Sequence, residues 1–327
     1  MKRIVLLMML LLFFLLTGIY GDTEGILEIY PTSAGMAMSG NAMSSEFAGY
    51  GIFFYNPALR YKDHSMSIYY EHKFLTGNLS QYNSAFITLP SIKNINAQIG
   101  YLNQIIGDIP VYPEFPSDED SLDFDPLGYF SDNANIVLFN IGYELEPGEY
   151  SLYDLSAGIN IKYIYHRIYD YTGQGSSVDA GSIVRLYPGR ITSGMGGVIK
   201  WSFVVKNPGG LSVKWDTPSA TVNKREMNIS TGLGYSNEIG AIDSEVFTEV
   251  NYSTAENAMF GISGGLIFRK FIGIYSGLNI NKDYTGAYAI SVPGVGISIS
   301  TIGFDIYYSI SGSDLGLNHS IGIGYSL

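Results

Sequence analysis

The sequence predicts an all-β fold, a transmembrane antiparallel β-barrel of about 14 strands that starts near residue 64. Apolar side chains recur at every second position through segments of roughly ten residues, which is the period of a strand. Long and short connections alternate between these segments, as they do in barrels that cross a bilayer. The chain also holds 39 Gly and 27 Tyr, while only 15% of its residues are charged. Together these observations favour strands and turns.

The segment 155–165 shows the alternation clearly. Ile159 and Ile161 fall on one face of the predicted strand, whereas Asn160 and Lys162 fall on the other. A tilted strand of about nine to eleven residues crosses a bilayer core about 30 Å thick, so we place the apolar face toward lipid. The same pattern predicts strands near 64–73, 80–90, 95–106, 134–145, 151–168, 177–187, 191–205, 225–236, 242–253, 256–268, 271–281, 285–300, 302–310 and 318–327.

The connections between these segments differ in length on the two sides of the predicted barrel. The long ones, all on one side, are 107–133, 169–176, 206–224 and 311–317. The short ones, all on the other side, are 91–94, 146–150, 188–190, 237–241 and 269–270. Outer-membrane barrels have long external loops and short periplasmic turns. A soluble β-sandwich or lipocalin-like barrel is the alternative, but soluble strands are usually shorter, about five or six residues.

The first 21 residues resemble an export signal. Lys2 and Arg3 precede an apolar run from Ile4 to Leu16, and we expect cleavage after Gly21. The alternative is a transmembrane anchor, which needs about 18 or more apolar residues. We therefore expect a signal peptide over 1–21 and a mature protein in the cell outer membrane.

The composition excludes several classes of function. With no Cys, the chain has no disulfide, no Cys-ligated metal, no thiol catalysis and no Cys-linked lipid. Its net charge of −12, without a basic cluster, argues against nucleic acid as a partner.

Two patterns that could indicate catalysis are weak. Gly261, Ser263 and Gly265 satisfy G-x-S-x-G, but a nucleophile elbow needs a strand-to-helix turn and this match lies in an alternating segment. The four His residues lack H-E-x-x-H spacing. We predict no catalytic residue, no metal site and no cofactor, and a protein that is not an enzyme.

Charged residues fall on the face that we assign to the lumen. They are Lys162, Asp179, Arg185, Glu245 and Glu249. We expect charges of both signs to pair and hold the walls together, and the alternative is that they guide a substrate.

The connection 107–133 is strongly acidic. It contains eight Asp and Glu residues between Asp108 and Asp132, and no Lys or Arg. Oxygen-rich clusters of this kind can hold calcium, and a calcium site is the alternative. We favour a solvated outer loop because the spacing of Gly and the terminal Glu in an EF-hand is missing.

Two motifs precede the first predicted strand. Residues 33–42 read SAGMAMSGNA, and residues 51–59 read GIFFYNPAL. They resemble the amino-terminal signature of FadL-type outer-membrane transporters of long-chain fatty acids and their PorV/PorQ relatives. Weaker likeness to the PorV branch continues at 155–162, 179–181 and 303–325. The residues that carry the main resemblance are Gly35, Met36, Gly40, Ala42, Phe54, Asn56, Pro57 and Ala58.

The resemblance implies a three-part chain: a signal peptide, a hatch over residues 22–63 that plugs the lumen, and the barrel wall over 64–327. It also implies passive uptake of hydrophobic compounds such as long-chain fatty acids by a monomer. The implied partners are a small hydrophobic ligand, outer-membrane lipid and the barrel-assembly machinery. In the alternative, a PorV-like shuttle of a type IX secretion system, the partner is a secreted cargo protein.

The chain departs from the family pattern at two places. Residues 43–49 read MSSEFAG where the family tends to carry an Asp-rich stretch, and the chain ends in Leu327 where a terminal Phe is typical. The first departure concerns the contacts of the hatch with its ligand, and the second concerns recognition by the assembly machinery.

Overall fold

The structure is a computed structural model of the whole chain. It describes residues 25–27, 29–60, 66–75, 79–112, 125–145, 151–190, 196–254, 260–282, 288–313 and 316–327. The predicted signal peptide, both borders of the predicted hatch and residues 113–124 of the acidic connection lie outside the described residues. Within the described ranges, no helix is long and apolar enough to cross a membrane.

One antiparallel sheet dominates the molecule. Its strands are β1 (Ser67–Leu75), β2 (Ser80–Thr88), β3 (Ile95–Val111), β4 (Gly128–Leu145), β5 (Tyr153–Ile168), β6 (Tyr171–Leu186), β7 (Val198–Lys206), β8 (Leu211–Trp215), β9 (Val222–Arg225), β10 (Asn228–Ile239), β11 (Ser244–Ser253), β12 (Phe260–Phe268), β13 (Ile272–Lys282), β14 (Tyr288–Ile290), β15 (Gly294–Ser300), β16 (Phe304–Ser313) and β17 (Gly316–Ser326). The helical elements are helix α1 (Ser33–Ala37) and short 3-10 turns at Gly25–Leu27, Glu46–Ala48, Ile52–Phe54, Pro188–Arg190 and Gly240–Ile242.

The sheet closes on itself, because β1 pairs with β2 on one side and with β17 on the other. We call each position in the closed wall a stave. Three pairs of strands lie in line and share a stave each: β7 with β8, β9 with β10, and β14 with β15. The seventeen strands therefore form a closed barrel of fourteen staves, which confirms the predicted fold. Closure leaves no long open edge of unpaired backbone groups.

The two faces of the wall differ as the alternation predicts. In β5, Ile159 and Ile161 are exposed on the outer face, while Asn160 and Lys162 are buried on the inner face. Outward-facing Ile, Leu, Val, Phe and Tyr side chains recur around the wall and give the barrel an apolar outer surface.

The long connections are shorter than predicted. Strand β3 runs on to Val111 and β4 begins at Gly128, so the flanks of 107–133 are paired strand. The connection 169–176 is a tight turn at Tyr169–Asp170 followed by strand, and 206–224 contains the hairpin of β8 and β9. These flanks hydrogen-bond with their neighbours and so continue the ladder. We call the end of the barrel that bears them the outer end.

Residues 25–27 and 29–60, which we call the inner segment, lie inside the barrel. Their side chains or backbone contact inward-facing groups on every stave from β1 to β17. Ile52, Phe53 and Leu59 are completely buried. Burial of such a side chain stabilises a fold by about 1.5–3 kcal/mol, so the inner segment and the wall form one core.

Candidate functional site

The predicted Asn-Pro-Ala motif ties the inner segment to the wall. Asn56 is buried, and its Nδ2 donates hydrogen bonds to the carbonyl oxygens of Met43 (2.9 Å) and Ser182 of β6 (3.3 Å). Its Oδ1 accepts a hydrogen bond from the backbone N–H of Ala58 at 3.0 Å. One side chain therefore shapes the turn at Pro57 and joins it to two other parts of the molecule.

The wall accommodates this turn because two of its residues lack side chains. A Cβ atom added to Gly158 would clash with the carbonyl oxygen of Pro57, and one added to Gly181 would clash with Asn56. Asn140 of β4 donates a hydrogen bond to the same Pro57 carbonyl at 3.0 Å. Glycine is needed here for close approach.

The first motif packs in a similar way. Met36 and Ala42 are buried, and a Cβ atom at Gly35 would clash with the hydroxyl of Tyr55. Gly40 has a φ of +77°, a conformation that other residues rarely adopt. These four residues thus fix the path of the inner segment.

Lys162 and Asp179, predicted for the lumen, form a buried ion pair at 2.7 Å. The Lys162 ammonium also donates to Oδ1 of Asn207 at 2.7 Å, and Asp179 Oδ1 accepts from the backbone N–H of Asn207 at 3.0 Å. This cluster joins β5 and β6 to the end of β7. Because its charges pair and its atoms are buried, the first role of this cluster is to stabilise the contacts between these strands.

Arg185 joins a second network near the opposite end of the barrel. Its guanidinium bonds with Glu46 of the inner segment (2.6 Å) and Asp154 of β5 (3.3 Å), and Lys200 of β7 bonds with Glu46 at 3.3 Å. Burial alone would raise the pKa of the Glu46 carboxyl, but the Lys200 ammonium and the Arg185 guanidinium lower it to about 2. Glu46 is therefore an anion that anchors the inner segment to two staves, those of β6 and β7.

The two predicted glutamates of β11 have different surroundings. Glu249 is buried, and its Oε1 accepts hydrogen bonds from the backbone N–H groups of Met43 and Ser44, each at 2.8 Å. Glu245 is only half-buried. The structure therefore brings Glu249 to the inner segment, and among the described residues neither glutamate forms an ion pair with the two networks above.

A third buried cluster, which the sequence did not predict, lies in β1. Glu71 and Lys73 form an ion pair with side chains that are fully buried, and Tyr69 donates a hydrogen bond to Glu71. The backbone N–H of Ser33, the first residue of α1, donates to Glu71 Oε2 at 2.6 Å. Tyr69, Glu71 and Lys73 are at alternate positions and so share one face of β1. This pattern is the signal from which the cluster could have been predicted.

Ser263 of the G-x-S-x-G match has a structural contact. It is buried, and its Oγ donates a hydrogen bond to the carbonyl oxygen of Asn41 at 2.6 Å. The strand β12 continues through this position without a turn to a helix, so the geometry of a nucleophile elbow is missing here.

Apolar side chains from several staves meet inside the outer half of the barrel. We call them, with Ile26 of the inner segment, the apolar zone: Leu75, Tyr82, Leu102, Ile136, Ile164 and Val213. All are buried, and they belong to the same cluster as Phe53. Such an interior suits a hydrophobic molecule better than hydrated ions.

One Lys lies beside this cluster. The Lys206 ammonium is 4.8 Å from the ring centre of Phe54, a residue of the predicted hatch. Lys206 has no carboxylate within ion-pair distance among the described residues. It is therefore available to an anionic group inside the barrel.

Regular strand pairing is interrupted directly after Lys206. Strand β7 ends there and β8 resumes at Leu211, while Asn207, Gly209 and Gly210 all have positive φ values of 52°, 99° and 81°. On the facing strand, β6 pairs with β7 from Asp179 onward and with β8 up to Ser176. The pairing of β6 with the neighbouring stave is therefore irregular at residues 177–178.

Comparison with solved structures identifies similar barrels. The CymD monoaromatic hydrocarbon channel has a TM-score of 0.52 and 9% sequence identity, with 90% of this chain and 97% of that chain covered. The P. putida toluene transporter TodX has a TM-score of 0.50 and 10% identity, with 92% and 98% covered. No protein-family model and no curated protein matches the chain. At these identities the likeness is one of fold.

Proposed function

We propose that the protein is an outer-membrane channel for passive uptake of hydrophobic compounds, similar to the FadL-type transporters. The apolar zone carries this proposal. A water-filled porin has a polar lumen, whereas here buried Leu, Ile, Val and Tyr side chains from several staves face inward. TodX and CymD, which share the fold, are named as a toluene transporter and a monoaromatic hydrocarbon channel.

The outer surface supports location in a membrane. Exposed apolar side chains such as Ile161, Trp201 and Ile323 cover the wall, and water would solvate such a surface poorly. Only a closed barrel or a helix satisfies its backbone hydrogen bonds within lipid, and this wall is closed.

Lys206 supports a ligand with a carboxylate, such as a long-chain fatty acid. Its ammonium has no carboxylate partner among the described residues and lies on Phe54, where a bound acyl chain would reach the apolar zone. We place the sideways exit of such a ligand at the interruption of strand pairing after Lys206. No energy source is needed for this step.

The test is mass spectrometry of small molecules that stay bound to the protein purified from outer membranes in mild detergent. We expect a fatty acid or another lipid in stoichiometric amount. Uptake of a labelled fatty acid into cells that express the protein should rise above that of cells with an empty vector. A protein without bound lipid and without uptake activity would contradict the proposal.

The PorV-like shuttle remains a second candidate because of the tall hairpins at the outer end. Strands β3 to β6 have 16 to 18 residues, whereas β1, β2 and β7 have nine each. These hairpins would offer a secreted protein a surface to bind. Co-purification of a defined secreted protein, lost when the hairpin tips are shortened, would favour this function over the channel.

A further inference from the structure

The Glu249 carboxyl is unusual among the buried groups of the barrel. It is 1% exposed, and Oε1 accepts the two hydrogen bonds from Met43 and Ser44. Its second oxygen, Oε2, is buried without a hydrogen-bond partner among the described residues. A buried acceptor of this kind costs about 1–3 kcal/mol unless it is satisfied.

A second unsatisfied acceptor lies beside it. Asn251 follows at the next inward position of β11, is 5% exposed, and has a buried Oδ1 with no partner among the described residues. Glu249 and Asn251 share the inward face of β11 two positions apart, and each has an oxygen that lacks a donor among the described residues. Two neighbouring acceptors thus remain where at least one donor is required.

The orientation of the Asn251 amide follows from a chain of amides that ends at backbone carbonyls. Asn279 Nδ2 donates to the Ser39 carbonyl at 2.8 Å, so its Oδ1 accepts from Asn41 Nδ2 at 2.9 Å. Asn41 Nδ2 also donates to the Leu278 carbonyl at 3.1 Å, and its Oδ1 accepts from Asn251 Nδ2 at 3.4 Å. The nitrogen of Asn251 is therefore engaged with Asn41, and its oxygen is left to accept a hydrogen bond.

The charges around Glu249 do not neutralise it. Lys200 of β7 lines a small cavity together with Glu249, but its ammonium bonds with Glu46 of the inner segment. Glu245 on β11 is acidic and cannot neutralise Glu249. The facing parts of β10 (232–236) and β12 (261–265) contribute no acidic or basic side chain. Glu249 has no ion pair with any described residue.

We propose that Glu249 is a proton-binding site at the junction of the inner segment and the wall, with the proton on Oε2 and donated to Asn251 Oδ1. One proton then satisfies both unpaired oxygens, and Oε1 keeps its bonds to Met43 and Ser44. Loss of the proton at alkaline pH leaves a buried, unpaired charge beside a second acceptor, and this cost is relieved when the junction at residues 43–44 opens to water. The inference rests on these contacts and does not depend on the proposed transport function.

Infrared spectroscopy of the full-length protein, folded in detergent at neutral pH, tests the proposal. The band of a protonated carboxylic acid should be lost in Glu249→Gln, because the Gln amide can occupy the same bonds without a titrating proton. It should persist in the control Glu238→Gln, which changes an exposed residue of β10. Loss of carboxylate bands instead of the acid band in Glu249→Gln would overturn the proposal.

A second variant tests the proposal even if Glu249→Gln does not fold. Asn251→Leu removes the accepting oxygen and retains the acid, so the acid band should shift to the position of a carboxylic acid without a hydrogen bond. Hydrogen exchange adds a structural readout: at alkaline pH, a peptide with residues 43–44 should exchange faster in the wild type than in Glu249→Gln. An unshifted acid band in Asn251→Leu, or equal exchange in the two proteins, would contradict the assignment.

Discussion

Gly158 of β5 lies directly against the carbonyl oxygen of Pro57, so a Cβ atom at position 158 would clash with the backbone of the inner segment. This contact joins the wall to the Asn-Pro-Ala turn. The interior is therefore packed through backbone contacts as well as side-chain contacts, and single methyl groups should disturb it.

We expect Gly158→Ala to lower the free energy of unfolding by about 1–3 kcal/mol, because the added methyl group meets backbone that cannot rotate away. Urea titration of the protein in lipid vesicles measures this. Gly107→Ala is the matched control, since no heavy atom lies within 4 Å of a Cβ atom at that position. Equal stability of the two variants would show that the backbone at Pro57 shifts at no measurable cost to make room for the methyl group.

Asn56→Ala should loosen the inner segment while the barrel stays folded. The substitution leaves the carbonyl oxygens of Met43 and Ser182 without the Asn56 donor, at a cost of about 1–3 kcal/mol for each group left unsatisfied. We expect higher single-channel conductance in planar bilayers than for the wild type, with unchanged strand content by circular dichroism. The control is Asn94→Ala in the turn before β3. Wild-type conductance in Asn56→Ala would argue against a gating role for this residue.

Ile161→Arg should destabilise the barrel by about 2–4 kcal/mol, the cost of a basic residue near the bilayer midplane. Ile161 is 53% exposed on the outer face, in the middle of β5. The comparison is Ile242→Arg in the turn before β11, where the cost should be about 0–1 kcal/mol. Unfolding in lipid vesicles measures both, and a harmless Arg at 161 would mean that this face does not contact lipid.

The Glu46 network predicts a stability that depends on acid. The pKa of Glu46 is about 2 in the folded protein against 4.5 ordinarily, so its contribution is present above pH 4.5 and is lost as the pH falls toward about 2. Glu46→Gln should therefore be less stable than the wild type at neutral pH, and the difference should shrink across this window. Urea titrations at several pH values measure this, with Glu226→Gln as the control. A constant difference down to the lowest pH would contradict the assignment.

Lys206→Met should reduce uptake of a long-chain fatty acid by about tenfold, since a hydrogen bond to a charged group contributes about 1.5–3 kcal/mol. Uptake of a neutral monoaromatic hydrocarbon should change little. Lys214→Met, at an exposed position of β8, is the control. If uptake of both substrates falls equally, Lys206 acts through the packing around Phe54 and not by binding a carboxylate.

Much of the fold could be predicted from the sequence because the alternation of inward and outward side chains is a property of each strand by itself. Each second side chain faces lipid, so the outward position of Ile161 and the inward position of Lys162 follow from their parity alone. The fourteen staves and the barrel class followed from the same period. The sequence predicts loops where the structure has the long hairpins of the outer end, because Tyr169–Asp170 and the acidic run after Val111 have the composition of loops. Pairing of the flanking residues depends on the neighbouring strand, so the sequence of a single strand does not reveal it.

Alternation within each strand therefore specifies which residues face inward, and short motifs carry the resemblance to a family. Which of the inward residues meet is visible only in the folded barrel. Glu249 contacts residues 43–44, about two hundred positions away, and Lys162 shares Asn207 with Asp179 across three staves. Such contacts depend on the register between staves and on the path of the inner segment through the lumen. Those are set by packing of the whole barrel, whereas alternation is set within each strand.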